Sequence, residues 1–269
     1  MLGHMSASRT QIIARVPHRF REQFAWAGFC YRLRRHSAAG QRVIVLQSTD
    51  RVYAPFLEVS GRANRRYAER MNYAYAQYIG NLAPRPMTAN FNRYYLLREV
   101  MRRTTHQWAL WIDADAIVAD PSVSVEPIIN ADRDKLIIAC RGTDAGEHDI
   151  NNGVFFFNLR HRDAARFLGY VIMAARHVRT DNSRFCSDQR HMQTWLRRRM
   201  RPDGGIPQVK RYAGSHANEF NYNGPFIKHF LRRDGSFDQR IERLKRVQRD
   251  AEAKLLAAEQ SDLSANYND

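Results

Sequence analysis

Residues His106–Asp120 read HQWALWIDADAIVAD: an apolar run from Trp108 to Ile112 that ends on two carboxylates one residue apart, Asp113 and Asp115. An uninterrupted apolar stretch of this length is the pattern of a strand buried on both faces in a parallel or mixed sheet. If the backbone stays extended past Ile112, side chains two apart point the same way, and both carboxylates face one ligand across the small spacer Ala114. Oxygen donors so placed suit a hard divalent cation. Mg²⁺ or Mn²⁺ takes one or two protein carboxylates and completes its shell with water and phosphate oxygens, so a diphosphate is the natural partner. An Asp pair after a strand also caps helices and opens turns. Here the pair directly follows a Trp-rich buried strand, where two charges are costly unless paired or metal-bound, and that favours the metal.

Upstream of this stretch, Val43–Leu46 reads as the first strand, with Gln47, Ser48, Thr49 and Asp50 at its carboxyl end. Open α/β sheets bind ligands just outside such strand ends. Asn64–Met71 reads as a helix, Tyr73–Tyr78 as a second strand, and Pro84 and Pro86 punctuate a loop. Phe91–Arg103 is a helix that turns Tyr94, Leu97 and Met101 inward and carries Arg93 near its start. A guanidinium there can reach phosphates with its planar fork of donors, although any one Arg on so basic a chain can simply face solvent.

Downstream, Pro121–Asn130 reads as a helix or turn and Leu136–Cys140 as a strand. In DINNGVFFFNL, residues 149–159, Asn151, Asn152 and Gly153 form a polar turn that leads into the strand Val154–Phe157. The turn can be only a turn, but amides and a glycine beside a buried strand also allow close approach by a sugar. Asp163–Val178 is helical. SDQRHMQTWLRRR begins a further helix with Ser187 or Asp188 as its cap. Tyr212–Phe230 is loop-like and closes with GPFIKHF, where His229 follows a strand-like run at Phe226 and Ile227. A lone His is usually structural, yet as a neutral imidazole it can be a third protein ligand to the cation.

The chain has 269 residues, 44% of them hydrophobic and 11% aromatic, which suits one folded α/β domain with helical extensions. Its net charge of +16 fits an anionic partner such as nucleic acid, a membrane surface or a phosphorylated substrate, and equally a solvated basic surface. Cys30, Cys140 and Cys186 are widely spaced with no C-x-x-C pair, so neither a disulfide framework nor a zinc site is indicated, and a reducing compartment fits best. No apolar run approaches the roughly 20 residues of a membrane span, and the N-terminus lacks the apolar core of a secretory signal. A cytoplasmic or otherwise soluble intracellular protein is the expectation.

The chain divides into a basic helical extension over 1–40, a central α/β domain over 41–236, and an amphipathic helix with a polar tail over 237–269. In the first, Pro17–His36 places Phe20, Phe24, Ala27 and Tyr31 at helical spacing among arginines. Packing against the domain is favoured over lying on an anionic membrane. In the last, Ile241, Leu244, Val247, Ala251 and Leu255 mark the apolar stripe before the tail SDLSANYND. That stripe suits a homo-oligomer contact, a lid or a helix lying on the domain.

Taken in order, these stretches resemble metal-dependent glycosyltransferases of the A-type fold. The nearest likeness is to the α-galactosyl, α-mannosyl and α-xylosyltransferases of fungi and plants, with glycogenin and bacterial lipopolysaccharide galactosyltransferases more distant. NRRYAERMNYAY resembles the family's helix-then-Tyr segment, HQWALWIDADAIV its metal motif, and INNGVFFFN its asparagine-glycine strand. SDQ resembles its aspartate-glutamine helix start and GPFIKHF its terminal histidine motif. The match covers about Val43–Phe230. It implies a single glycosyltransferase-A, Rossmann-like α/β domain with a mixed central sheet over 41–236.

The resemblance also implies a nucleotide-diphosphate sugar donor, UDP-sugar favoured, a glycan or glycoconjugate acceptor, and retention of configuration. Asp113, Asp115 and His229 would hold Mn²⁺ or Mg²⁺, and Arg93 would neutralise donor phosphates. Ser48 and Ala114 would complete the donor contacts, and Asn152 and Gly153 would border the transferred sugar. Asp188 and Gln189 would lie beside the anomeric carbon and the acceptor, with Asp188 the carboxylate to nominate as a nucleophile. The chain departs from the pattern where the glycine after the histidine is displaced to Gly235 and where Pro225 replaces a frequent acidic residue. A nucleotidyltransferase would show a glycine-rich basic loop after the first strand, which LQSTDRVYAPF does not supply. A nucleic-acid-binding protein is disfavoured too: no zinc-finger, RNA-recognition or basic-zipper pattern appears, and the paired carboxylates would repel phosphate unless a cation intervened.

Overall fold

A computed structural model describes residues 26–31, 33, 40–83, 86–142, 146–178, 187–212 and 220–266. Its strands are β1 (Val43–Thr49), β2 (Ala74–Ile79), β3 (Trp108–Ile112), β4 (Ala116–Val118), β5 (Ile137–Arg141), β6 (Ile150–Asn158), β7 (Val209–Tyr212) and β8 (Ile227–His229). The main helices are α1 (Ala54–Arg70), α2 (Asn92–Arg103), α3 (Glu126–Ala131), α4 (Ala164–His177), α5 (Asp188–Arg197) and α6 (Phe237–Asn266). Six strands form one sheet in the order β2-β1-β3-β6-β5-β7, and β4 pairs with β8 in a small separate ribbon. β1 runs parallel to β2 and β3, β6 antiparallel to β3 and β5, and β7 parallel to β5, so the sheet is mixed as expected.

Strict alternation along the strands loads both faces of the sheet. Ile44, Leu46, Ala109, Trp111, Phe155 and Phe157 pack under α2, α4 and α5. Val45, Trp108, Leu110, Ile112, Val154 and Phe156 pack on the other side, against Tyr67 of α1, Ile129 of α3 and the segment holding Phe220 and Phe226. A fully buried Leu, Ile or Phe contributes about 1.5–3 kcal/mol relative to exposure, so the two-sided core explains why β3 reads as an unbroken apolar run.

Four local expectations change. α1 begins ten residues before Asn64, with Pro55 in its first turn. It reaches its seat because Gly61 lets it press on β2, where a β-carbon would meet Gln77 Oε1 at 2.8 Å. The Asn-Asn-Gly stretch is no turn but the start of β6, with Arg141 paired to Ile150. Of the basic N-terminal helix only 26–31 and 33 are described. There Phe29 and Leu33 are buried while Ala27 and Tyr31 are exposed, so the buried stripe lies on roughly the opposite side of the helix from the predicted one. Finally, α6 does not give way to a tail at Ser261 but runs to Asn266. It lies along α1, burying Leu244, Ala251 and Leu255. Among the described residues no helix is long and apolar enough to cross a membrane.

Candidate active site

The carboxyl ends of β1 and β3 open onto a cavity of about 680 Å³. Its wall includes Ser48, Arg93, Asp113, Ala114, Asp115 and Asn152, together with Gly153, Gln189, His229 and Arg232. All the expected site residues except Asp188 line it directly. Asp188 sits just behind, 5% exposed at the first position of α5, and Ser187 caps that helix by accepting from the backbone N–H of Arg190.

The two metal-motif carboxylates converge by a different device from an extended pleat. Residues 113–116 form a tight turn, in which the Ala116 N–H donates to the Asp113 carbonyl at 3.0 Å. Three buried side chains hold that turn. Gln47 Nε2 donates to the Asp113 carbonyl (3.3 Å), Ser60 Oγ to that of Ala114 (2.8 Å) and Asn64 Nδ2 to that of Ala116 (3.2 Å). An irregular backbone inside a core must find such partners, and here α1 supplies two of them.

His229 arrives through the β4–β8 ribbon, in which Ala116 faces His229. The Phe230 N–H donates to the Asp115 carbonyl at 2.9 Å, tying the two motifs together. The ligand atoms of Asp113, Asp115 and His229 all lie within 4.8 Å of one another. His229 Nδ1–H donates to Asn221 Oδ1 at 3.0 Å, which turns Nε2 toward the carboxylates. Support of this kind on the far nitrogen is what a metal-binding imidazole normally has. Two hard carboxylate oxygens and one oriented imidazole nitrogen form a donor set that fits Mn²⁺ or Mg²⁺.

Gly153 is needed by this arrangement in a way its expected role beside a sugar does not capture. A β-carbon there would lie 2.8 Å from His229 Nδ1 and nearer still to Cε1. The glycine makes room for the imidazole. Its carbonyl also accepts from the Asp113 N–H at 2.8 Å, so one residue of β6 positions two of the three ligands.

Arg93, expected to face phosphates, is held from both sides by carboxylates. Its Nη2 lies 3.1 Å from Asp113 Oδ1 and its Nε 3.0 Å from Asp188 Oδ2, with the guanidinium 5.2 Å from the Trp111 ring centroid. Burial alone would lower its pKa, but Asp113 and Asp188 outweigh burial and raise it. Both oxygens of Asp188 are engaged: Oδ1 accepts from Asn90 Nδ2 at 2.9 Å and Oδ2 from Asn152 Nδ2 at 2.7 Å, besides Arg93. Among the described residues Arg232 is the arginine on the cavity wall without a carboxylate partner, its guanidinium lying 5.7 Å from the Tyr53 ring.

At Asp115, Oδ1 faces His229 Nε2 at 3.2 Å, and Oδ2 accepts from Arg240, a residue of α6. Burial pushes the Asp113 carboxyl up, with Arg93 and His229 opposing it only in part. Burial acts the same way on Asp115, yet the bond from His229 and the charges of His229 and Arg240 prevail and hold it below the usual range. Burial would lower His229, but its bond to Asp115 and the charges of Asp115 and Asp113 prevail and raise the imidazole. Sequence reasoning missed Asn90, Asn221, Arg232 and Arg240.

No protein-family model matches this chain, and no curated protein matches its sequence. Among solved structures, a glycosyltransferase involved in the glycosylation of the major capsid of PBCV-1 superposes with a TM-score of 0.57 at 16% identity, over 76% of this chain and 98% of that one. The apo-form glycosyltransferase GlyE of Streptococcus pneumoniae TIGR4 gives a TM-score of 0.52 at 13% identity, over 82% of this chain and 64% of that chain. At such identities the likeness is one of fold, and the chain has the glycosyltransferase-A architecture.

Proposed function

We propose that this chain is a metal-dependent glycosyltransferase that moves a hexose or pentose from a nucleotide-diphosphate sugar to a hydroxyl of a glycan or glycoconjugate. The observation that carries the reading is the convergence of Asp113, Asp115 and His229 on one wall of a cavity at the ends of β1 and β3. The fold shared with glycosyltransferases supports it. UDP as the nucleotide, retention of configuration and the nearer likeness to the fungal and plant enzymes rest on the ordered sequence motifs.

Charge at the site supports a diphosphate. Asp113, Asp115 and Asp188 face Arg93, Arg240 and His229, so the cluster is neutral when the imidazole is protonated. Exchange of that proton for a divalent cation leaves one positive charge in excess, with Arg232 nearby to add another. When bound, Mn²⁺ or Mg²⁺ supplies Lewis-acid stabilisation of the negative charge that grows on the departing diphosphate. Arg232, uncommitted to any carboxylate among the described residues, is the side chain we assign to the phosphates, and Arg93 becomes the brace between Asp113 and Asp188. Ser48 and Ala114 border the donor.

Asn152, whose amide is fixed by Asp188, and Gln189 face the transferred sugar and the acceptor and orient the reacting hydroxyl against the anomeric carbon. Asp188 is a poor nucleophile in this setting, because both of its oxygens are engaged. Its role is to hold Asn152 and Arg93 in place, which favours attack by the acceptor oxygen on the face the diphosphate leaves. The test is a thermal-shift panel of nucleoside diphosphates and nucleotide sugars with Mn²⁺, with Mg²⁺ and with chelator. A donor at 100 times its dissociation constant should stabilise the fold by about 2.7 kcal/mol, and only with metal. A flat panel on folded protein would overturn the reading.

A further inference from the structure

We infer that Arg240, in the first turn of α6, is a positioning residue that restricts Asp115 to a single metal-facing oxygen and thereby biases the site toward Mn²⁺ and Mg²⁺ over Ca²⁺. The inference rests on the metal-site reading above and adds the C-terminal helix to it.

Arg240 is 3% exposed, and its guanidinium lies 4.7 Å from the Phe56 ring centroid. Nη2 donates to Asp115 Oδ2, and Nε donates to the Phe230 carbonyl at 2.9 Å. One planar fork thus grips a ligand carboxylate and the backbone directly after the other ligand, His229. Lysine, a point charge with a single ammonium, cannot make both bonds in fixed relative geometry. The helix that carries Arg240 is itself anchored, with Leu244 buried beside Phe56 and Leu57 of α1 and Phe237 in edge contact with Phe56 at 4.8 Å between centroids.

Because Oδ2 is occupied, Asp115 offers Oδ1 alone on the side of His229 Nε2. One-oxygen carboxylate ligation suits the small, near-octahedral shells of Mn²⁺ and Mg²⁺, whereas Ca²⁺ gains from carboxylates free to bind through both oxygens in a flexible, larger shell. A buried guanidinium beside a cation site is electrostatically unfavourable for cation binding in general. Its presence here therefore points to control of ligand geometry, since a neutral donor would hold the helix without the repulsion.

The experiment measures Mn²⁺ and Ca²⁺ affinities by calorimetry, with and without UDP, on wild type, Arg240→Met, Arg240→Lys and Leu244→Ala, after circular dichroism has shown each to be folded. Arg240→Met should narrow the Mn²⁺/Ca²⁺ preference by about tenfold, because it relieves the repulsion for both cations alike but frees the second Asp115 oxygen chiefly to the benefit of Ca²⁺. Arg240→Lys should fall between it and wild type. Leu244→Ala loosens the same helix without touching Asp115 and should keep the wild-type preference. An unchanged preference in Arg240→Met, or the same narrowing in Leu244→Ala, would overturn the inference. Should Arg240→Met not fold, an unchanged preference in Arg240→Lys overturns it instead. Failure of the wild type to bind Mn²⁺ in either condition removes the metal reading itself, whereas binding that ignores position 240 removes only this inference.

Discussion

Replacing Gly153 with alanine probes the site through a single methyl group. The new β-carbon would lie 2.8 Å from His229 Nδ1 and nearer to Cε1, and an ordinary contact needs at least 3.4 Å. The imidazole must therefore retreat by at least about 0.6 Å, beyond the ~0.5 Å within which a functional constellation has to be held. Gly153 sits in β6 without a positive φ, so the backbone itself tolerates alanine and the whole effect comes from the collision. Overpacking of this kind costs about 1–3 kcal/mol. In a chain of this size that corresponds to a melting temperature lower by roughly 2–10 °C. His229 also loses its alignment with Asn221 and Asp115, and Mn²⁺ affinity should fall by about 10- to 100-fold. Gly169 of α4 is the control, because a β-carbon there meets nothing within 4 Å. Gly169→Ala should stabilise the fold by about 0.5–1 kcal/mol and leave Mn²⁺ binding untouched. Differential scanning fluorimetry and Mn²⁺ calorimetry on both variants decide the matter. Wild-type melting and Mn²⁺ affinity in Gly153→Ala would refute the close-approach argument.

Two further perturbations test the same centre. Asn221→Leu removes the acceptor at His229 Nδ1 and should weaken Mn²⁺ by about 10- to 100-fold while leaving Asp113 and Asp115 in place; equal affinity by calorimetry would show that the imidazole is oriented otherwise. The pH response follows from the raised His229 imidazole. Its interaction with Asp115 is fully present below the ordinary value of about 6.5 and is lost as pH rises through the raised pKa, so the metal-free protein should lose stability above about pH 6.5. Asp115, held low, stabilises above its ordinary value and loses that contribution only as pH falls through its depressed pKa. Mn²⁺ affinity should climb over the alkaline limb as the imidazole gives up its proton, and a His229→Asn variant should flatten both curves; a pH-independent affinity in the wild type would contradict the proton exchange.

What the chain revealed by itself was whatever depends on neighbours in sequence. The two-sided burial of β3, the Asp pair after it, the Ser187 cap and the apolar stripe of α6 are local patterns of period and composition, and each appears close to where it was expected. His229 was legible only as a candidate, because nothing near it in sequence says that β8 pairs with β4 and brings it to Asp115. The convergence of the carboxylates was expected from an extended pleat and is produced by a turn, because Gln47, Ser60 and Asn64 capture its carbonyls from distant elements. Gly153 looked like a place for a ligand to approach, and its lack of a side chain also makes room for His229, which no local pattern announces. Arg240 had a faint signal, a charge at the helical spacing of the buried Leu244 and Ala251 and the half-buried Val247. Its partner, 125 residues earlier, could not be read from that spacing. Local sequence determined the elements and their buried faces, since propensity and periodicity act over a few residues. Only the tertiary structure decided which polar groups meet in the core, because a buried charge takes whatever partner the packing of separate elements brings within reach.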